Sequence, residues 1–309
     1  MIDEYHVGDN LELFSELQDN SIDLIYFDPP YNTGRDFSDF NDKYDSMLSY
    51  RDQFLKPRIE QCRRVLRKTG NIVVHVDPTV SHHVRILLDA VFGEKMFVNE
   101  VAWQTGGNAK NKRKMNRFHD TLVCYKASNK SIFNPIYLPY DEKYKKASSV
   151  KMCEFHEKEY VTTAIHNSQP HVNPRLNLRY EWNGHNKQWY VGKNKMIMLH
   201  EDNRLYYNSK GVPRIKRYLD EMSGIPVRDV WTDINNIQAG EKMDYATQKP
   251  VKLLDRVVTM FSCENDIVLD IFAGSGTTGR AALRNNRHYI LFDSNPKGKY
   301  MFDESIKSE

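Results

Sequence analysis

"LDIFAGSGTTG", Leu269 to Gly279, decides the fold class. It reads as an apolar strand, a glycine-rich turn and the start of a helix. Gly274, Gly276 and Gly279 fit the spacing G-x-G-x-x-G, in which glycines permit a tight turn and a close approach of the backbone to a ligand. The helix that follows, expected over Thr277–Arg284, offers unpaired N–H groups at its start. Asp293 closes the next expected strand, Tyr289–Phe292, where an acid accepts hydrogen bonds from ribose hydroxyls. Strand, turn, helix and acid in register point to a nucleoside-containing ligand. NAD and S-adenosylmethionine both satisfy this pattern.

Outward from that stretch the alternation of strands and helices continues. Ile22–Phe27 reads as a buried strand, Tyr44–Lys68 as a long helix ended by Gly70, Ile72–Val76 as a strand and Val80–Phe92 as a helix. Val98–Gln104 and Thr121–Lys126 are two further strands. A helix lies within Thr247–Cys263 and a strand over Ile267–Ile271. Asn129 to Pro226 is different: rich in Asn, Tyr, Lys and His, weak in periodicity, with Trp182 and Trp189 among polar residues. The expected organisation is 1–128, an inserted module at 129–226, and 227–309, with an α/β architecture.

Composition narrows the class. The 309 residues are 28% charged and 12% aromatic, with a net charge of +3, which indicates a folded chain with a large core and no strong overall field. The four cysteines are scattered and form no CxxC pair, so neither zinc nor a disulfide framework is expected. The opening residues, MIDEYHVGDN, lack the basic and apolar regions of a secretory signal, and no apolar run has the length of a membrane span. A cytoplasmic location and no membrane partner are the expectation.

A second motif separates the two cofactors. "IYFDPPYNTG", Ile25 to Gly34, places Asp28, Pro29, Pro30 and Tyr31 at a strand exit. The prolines stiffen the turn. An exocyclic amine on a nucleobase is a poor nucleophile because its lone pair is delocalised into the ring. Two acceptors, the Asp28 carboxylate and the Pro29 carbonyl, draw that nitrogen toward tetrahedral geometry, and the Tyr31 ring offers a stacking face. Positioning and electrostatics then do most of the catalysis.

The sequence resembles the β-class of amino-group DNA methyltransferases, the DNA methylase N-4/N-6 family that includes modification subunits of type III restriction systems. "DPPYNTG" resembles its catalytic motif and "DIFAGSGTTG" its cofactor motif. "ATQKP", Ala246 to Pro250, resembles the start of its cofactor half, and "GDNLELF", Gly8 to Phe14, the segment whose acid, here Asp9, contacts the cofactor's adenine. The order of catalytic half, recognition region and cofactor half is also that of the β-class. Ile271, where proline is common, and Phe292-Asp293 depart from the family's usual wording.

The resemblance implies a Rossmann-like S-adenosylmethionine-dependent methyltransferase fold, a twisted and mostly parallel seven-stranded sheet with helices on both faces. It implies site-specific transfer of a methyl group from S-adenosyl-L-methionine to adenine N6 in double-stranded DNA after base flipping. The catalytic residues are then Asp28, Pro29, Pro30 and Tyr31. The cofactor residues are Asp9, Thr247, Lys249, Pro250, Asp270, Phe272, Ala273, Gly274, Ser275, Gly276, Thr277, Thr278 and Asp293, with no metal. Homodimers and a separate restriction subunit are the partners that the resemblance implies, and no helicase motif G-x-x-x-x-G-K-[ST] is present. Cytosine N4, RNA, a nicotinamide oxidoreductase and an inactive DNA-binding relative are the alternatives.

Acid-free basic segments supply the DNA expectation. Lys110, Lys112, Arg113, Lys114 and Arg117 crowd one loop, and Arg214, Lys216 and Arg217 a second segment. Both are expected to contact phosphates. Phe37, Phe40 and Tyr44 are placed to close over an extruded base. His75 and Asp77 are expected to be structural, and His82 and His83 to lie on a helix surface.

Overall fold

The computed structural model describes the chain except residues 33, 35–41, 107–112, 114, 170, 173, 238–239, 246 and 308–309. It divides into two compact units, Met1–Ile136 with Arg228–Glu309, and Tyr137–Val227. The larger unit opens with β1 (Glu4–Val7), α1 (Asn10–Leu13), β2 (Ile22–Phe27) and α2 (Met47–Ser49). A π-helical stretch, Tyr50–Leu55, leads into α3 (Lys56–Val65), followed by β3 (Leu66–Val76), α4 (Pro78–Phe92), β4 (Phe97–Gln104) and β5 (His119–Lys126). The smaller unit holds β6 (Tyr137–Leu138), α5 (Glu142–Ala147), β7 (Lys151–Cys153), β8 (Lys158–Ala164), β9 (Arg179–Trp182), β10 (His185–Gln188), α6 (Lys193–Glu201), β11 (Leu205–Tyr207), β12 (Pro213–Tyr218) and β13 (Ile225–Pro226). The larger unit resumes with β14 (Val230–Trp231), α7 (Val251–Phe261), β15 (Ile267–Asp270), α8 (Thr277–Arg284), β16 (His288–Asp293) and α9 (Pro296–Lys307).

The main sheet has the order β1-β16-β15-β2-β3-β5-β4-β14. The run from β1 to β3 is parallel, β5 is antiparallel to both its neighbours, and β14 is parallel to β4. β2 is buried at every position, as a central strand covered on both faces must be, and its sequence is accordingly a run of apolar residues broken once. That break, Asp23, is paired with Arg67. The sheet has eight strands where seven were expected. The additional one is the two-residue β14, anchored by Trp231 at 2% exposure.

Two local expectations are corrected. Gly70 does not stop the long helix. That helix ends at Val65, and Gly70 lies inside β3, where a Cβ would stand 2.7 Å from the Asp23 carbonyl oxygen. Its glycine serves close strand packing. Residues 129–136, expected with the insertion, belong to the larger unit. The Ile132 N–H donates to the Thr69 carbonyl at 2.9 Å and the Asn134 N–H to that of Met260 at 2.8 Å.

The smaller unit carries a four-stranded sheet, β11-β12-β8-β7, and two short hairpin-like pairs. Its core gathers Ile165, Trp189, Met196, Leu199 and Leu205. Trp189 is fully buried, and its indole N–H donates to the Tyr180 carbonyl at 2.8 Å. A buried indole with its donor satisfied explains a tryptophan among polar neighbours in the sequence.

Candidate active site

Parallel strands end together, so the loops after β1, β2, β15 and β16 meet at one edge of the sheet. A cavity of about 1100 Å³ opens there, within the larger unit, and is lined by Asp9, Asp28–Tyr31, Thr247, Lys249, Pro250, Asp270, Phe272–Ser275, Thr277, Thr278 and Asp293. This is where ligands bind in open α/β sheets. The two motifs, far apart in the chain, therefore face one chamber.

The turn after β15 is held from both sides. The Gly274 N–H donates to the Asp293 carboxylate at 2.8 Å. The Gly274 carbonyl accepts from the Tyr5 hydroxyl at 2.7 Å. Gly274 is left-handed, with φ 52°, and a Cβ would meet the Tyr245 ring at 3.1 Å. Gly276, expected to bind cofactor, is absent from the cavity wall. A Cβ there would collide with Phe302 at 2.4 Å, so Gly276 seats α9 against the turn. Gly279 does likewise, with Leu291 at 2.7 Å.

The acids have separate tasks. Asp270 is 1% exposed and accepts from the Phe272 N–H at 2.9 Å and the Thr278 hydroxyl at 2.5 Å. Burial, reinforced by the nearby Asp28 charge, holds its carboxyl well above the usual range. Burial also raises Asp293, against the backbone N–H groups of Asn295 and Gly274 that favour its charged form. Asp9 caps α1 through the Leu11 N–H at 2.8 Å and also lines the cavity. Cap and cavity wall are thus one residue.

At the exit of β2, the Lys249 ammonium is paired with Oδ2 of Asp28. The two side chains are 13% and 17% exposed. Tyr31 packs its ring against the core, with Lys249 Nζ 5.7 Å from the ring centroid. Its hydroxyl is buried with no hydrogen-bond partner among the described residues. Asn32, at φ 52°, ties the turn back: its N–H donates to Asp42 at 2.7 Å, and its side-chain oxygen accepts from the Tyr44 N–H at 3.2 Å. Tyr44 lines the cavity and packs on Phe54 at 4.9 Å. Phe37 and Phe40 lie outside the described residues.

Residues without a sequence motif complete the wall. Arg58 bonds Asn10 at 2.7 Å and lies over the Phe54 ring at 4.1 Å. A charge between Leu55 and Ile59, on an apolar stripe, was the available signal for it. Tyr26, Trp103, Asp120, Asn236 and Tyr245 also line the cavity and carried no such signal. His75 is fully buried, with Nδ1 2.9 Å from the Tyr26 hydroxyl and Nε2 3.4 Å from Asp120. Burial lowers its pKa, which keeps the ring neutral. Asp77 caps α4 and receives the Arg117 guanidinium.

The basic residues separate. Arg117 is committed to Asp77 on the cavity wall. Lys216, expected on a phosphate-contacting surface, is 7% exposed and directed to the sulfur of Cys153. Burial removes it from any nucleic-acid face. Arg214 donates to Thr162 at 3.0 Å. Arg113 and Arg217 are exposed. Lys110, Lys112 and Lys114 lie outside the described residues, as does Ala246 of the "ATQKP" segment.

Known proteins resemble the whole arrangement. The chain is 29% identical to the type II methyltransferase M.EcaI of Enterobacter cloacae, over 87% of this chain and 61% of that protein. It is 26% identical to the StyLTI Mod subunit, a type III restriction-modification enzyme of Salmonella typhimurium, over 90% of this chain and 49% of that subunit. The chain thus spans between about half and three-fifths of these two relatives. Among solved structures, the DNA modification methylase TTHA0409 from Thermus thermophilus superposes with a TM-score of 0.56 at 17% identity, covering 99% of this chain and 95% of that one. The cytosine-N4-specific PvuII DNA methyltransferase superposes with a TM-score of 0.51 at 17% identity, covering 100% and 94%. These likenesses give the larger unit the Rossmann-like fold of S-adenosylmethionine-dependent methyltransferases. A family model for the N6 and N4 enzymes, described as DNA methylase, matches residues 22–304, and the chain belongs to that family.

Proposed function

We propose that the chain transfers a methyl group from S-adenosyl-L-methionine to an exocyclic amino group of a base in double-stranded DNA, with adenine N6 as the target. The observation that carries this reading is a single cavity whose wall holds both the Asp28–Tyr31 turn and the Phe272–Thr278 turn.

The charge of that wall fits the cofactor. Asp9, Asp28, Asp42, Asp77, Asp120, Asp270 and Asp293 face it, against Arg58, Arg117, Lys242 and Lys249. Such a wall suits a ligand bearing a sulfonium and an ammonium and opposes the pyrophosphate of a nicotinamide dinucleotide. Asp293 is placed to accept from ribose hydroxyls, Asp9 to reach the adenine, and Phe272 to pack beside it. When bound, the cofactor supplies an electrophilic methyl.

The chain's own residues prepare the nucleophile. Lys249 engages Oδ2 of Asp28 and leaves Oδ1 for an incoming N–H. The Pro29 carbonyl is the second acceptor. Holding both amine hydrogens frees the nitrogen lone pair, and the neighbouring Lys249 stabilises Asp28 as a charged acceptor. Tyr31 supplies a face to a base drawn out of its stack. The turn that begins at Asp28 is stiffened by two prolines, so these groups are preorganised.

The preference for adenine rests on the wording Asp28-Pro29-Pro30-Tyr31. Cytosine N4 is the second reading, favoured by the N4-specific PvuII enzyme among the structural neighbours. In the same proposal Tyr137–Val227 carries sequence recognition, and a separate restriction subunit is a partner, as the type III Mod relative suggests. No helix among the described residues is long and apolar enough to cross a membrane, which supports a cytoplasmic enzyme. The test is a methyl-transfer assay on duplex DNA, single-stranded DNA and RNA, followed by nucleoside analysis. N6-methyladenine in duplex DNA is the expected product. N4-methylcytosine, methylated RNA or no transfer would replace this reading.

A further inference from the structure

The smaller unit contains a buried polar cluster that methyl transfer does not use. Cys153 ends β7 and is 3% exposed. Lys216 and Tyr218 are alternate residues of β12 and point to the same face. β8 lies between these two strands. Lys216 Nζ reaches across to within 3.3 Å of the Cys153 sulfur, and the Tyr218 hydroxyl to within 3.4 Å. His156, in the turn from β7 to β8, places Nδ1 3.7 Å from the same sulfur, with Nε2 3.3 Å from the Asp202 carboxylate.

Lys216 has an unusual environment. The residue is 7% exposed, and among the described residues no carboxylate lies within ion-pair distance of its ammonium. Its other polar partner is the Asn203 side-chain oxygen at 3.3 Å. A buried ammonium persists where it has a counter-charge, and the group in contact that can carry one is the Cys153 thiol. Burial opposes ionisation of that thiol, but hydrogen bonds from Tyr218, His156 and Lys216 outweigh it and bring the pKa down to about 6. Cys62 and Cys124 are the opposite case: burial alone suffices to raise both thiols. A thiolate is the form that reacts with oxidants.

We propose that Cys153 and Lys216 form a hydroperoxide-responsive modification site that closes to a covalent sulfur–nitrogen bridge between β7 and β12. The Cys153 thiolate attacks one peroxide oxygen: an S–O bond forms, the O–O bond breaks, and hydroxide leaves. That hydroxide takes a proton from the Lys216 ammonium and becomes water. The freed amine then attacks the sulfenic sulfur. An S–N bond forms, the S–O bond breaks, and the departing hydroxide takes one amine proton as a second water. Sulfur is oxidised, peroxide is reduced, and the bridge spans β8.

The experiment treats the full chain with graded hydrogen peroxide, digests it with trypsin and maps peptides by mass spectrometry, with and without a thiol reductant. The expected result is loss of cleavage after Lys216 together with one species joining the Cys153 and Lys216 peptides, lighter by two hydrogens than their sum. It should appear at doses that leave Cys62 and Cys124 reduced, and the reductant should reverse it. Lys216→Arg keeps the cation but lacks a condensing amine. It should stop at a sulfenic acid that dimedone traps. Cys153 remaining a free thiol at doses that oxidise the exposed Cys263, or Cys153 oxidised while cleavage after Lys216 persists, would overturn the proposal. If Lys216→Arg fails to fold, the wild-type map decides alone.

Discussion

Asp28→Ala separates catalysis from structural support, because the structure gives Asp28 two tasks. It accepts an amine hydrogen in the proposed reaction, and it balances Lys249. Both side chains of the pair are less than one-fifth exposed. Removing one partner strands a mostly desolvated charge, which costs up to roughly 3–5 kcal/mol when burial is complete and less here, where Lys249 retains some water. Loss of a preorganised acceptor costs about a hundredfold to a thousandfold in kcat, or ~2.7–4 kcal/mol of transition-state stabilisation. Lys249→Met, placed in the Asp28→Ala background, removes the stranded ammonium. The double mutant is therefore expected to regain thermal stability while its turnover stays at least about a hundredfold below wild type. The assays are thermal unfolding and single-turnover methyl transfer at saturating DNA. Turnover returning to within about tenfold of wild type in the double mutant would refute an acceptor role for Asp28. It would mean that the single mutation acted by disturbing Lys249.

Three further outcomes are expected. Tyr31→Phe removes a buried hydroxyl with no partner among the described residues, so stability should hold or rise, by about 1 kcal/mol at most. Tyr31→Ala should lose a stacking face worth roughly 1–3 kcal/mol in base engagement, and equal activity losses in the two variants would instead assign the work to the hydroxyl. Arg217→Gln should reduce the slope of log affinity against log salt by about 0.9 if this exposed residue contacts phosphate, whereas Arg117→Gln, whose guanidinium is held by Asp77, should leave the slope unchanged. Asp270 has a folded-state pKa raised by burial, so its ionised form costs stability above that pKa and the cost is relieved as pH falls through it. Asp270→Asn should accordingly stabilise the cofactor-free chain at neutral pH, with the gain vanishing on acidification, and thermal unfolding across pH reads it; a gain that grows toward acid pH would contradict the sign.

Legibility followed the physics of each element. β2 and α8 were readable to the residue because their apolar runs and turn signals are local. The long helix was misjudged at its end because the chain passes from Val65 in α3 to Leu66 in β3 without a loop. A glycine four residues later then resembled a stop. β14 is two residues long, too short for any periodicity. Gly276 illustrates a different limit. The glycine spacing identified the turn, but only the contact with Phe302 distinguishes a glycine that seats a helix from one that faces a ligand. Lys216 lay in an acid-free basic run that composition reads as surface. Alternation along β12 instead puts it on the buried side with Tyr218, while Arg217 between them faces solvent.

Lys249 shows why the order of motifs and the chemistry of the site are separate kinds of information. The resemblance assigned it to the cofactor half, and its position before α7 agrees with a cavity-lining residue. Its charge is used elsewhere, on Asp28, 221 residues earlier in the chain. That pairing follows from topology. β15 lies beside β2, so the end of the catalytic strand and the start of the cofactor half share one wall. Seven carboxylates face the chamber, and Asp28 is the one whose negative charge must meet the hydrogens of a neutral amine. Carboxylates gathered on one wall repel one another. The ammonium in contact with Oδ2 offsets that repulsion at the position where the charge is used. The same pair therefore joins the two halves of the fold mechanically and supports the acceptor electrostatically, and neither role is visible in either motif alone.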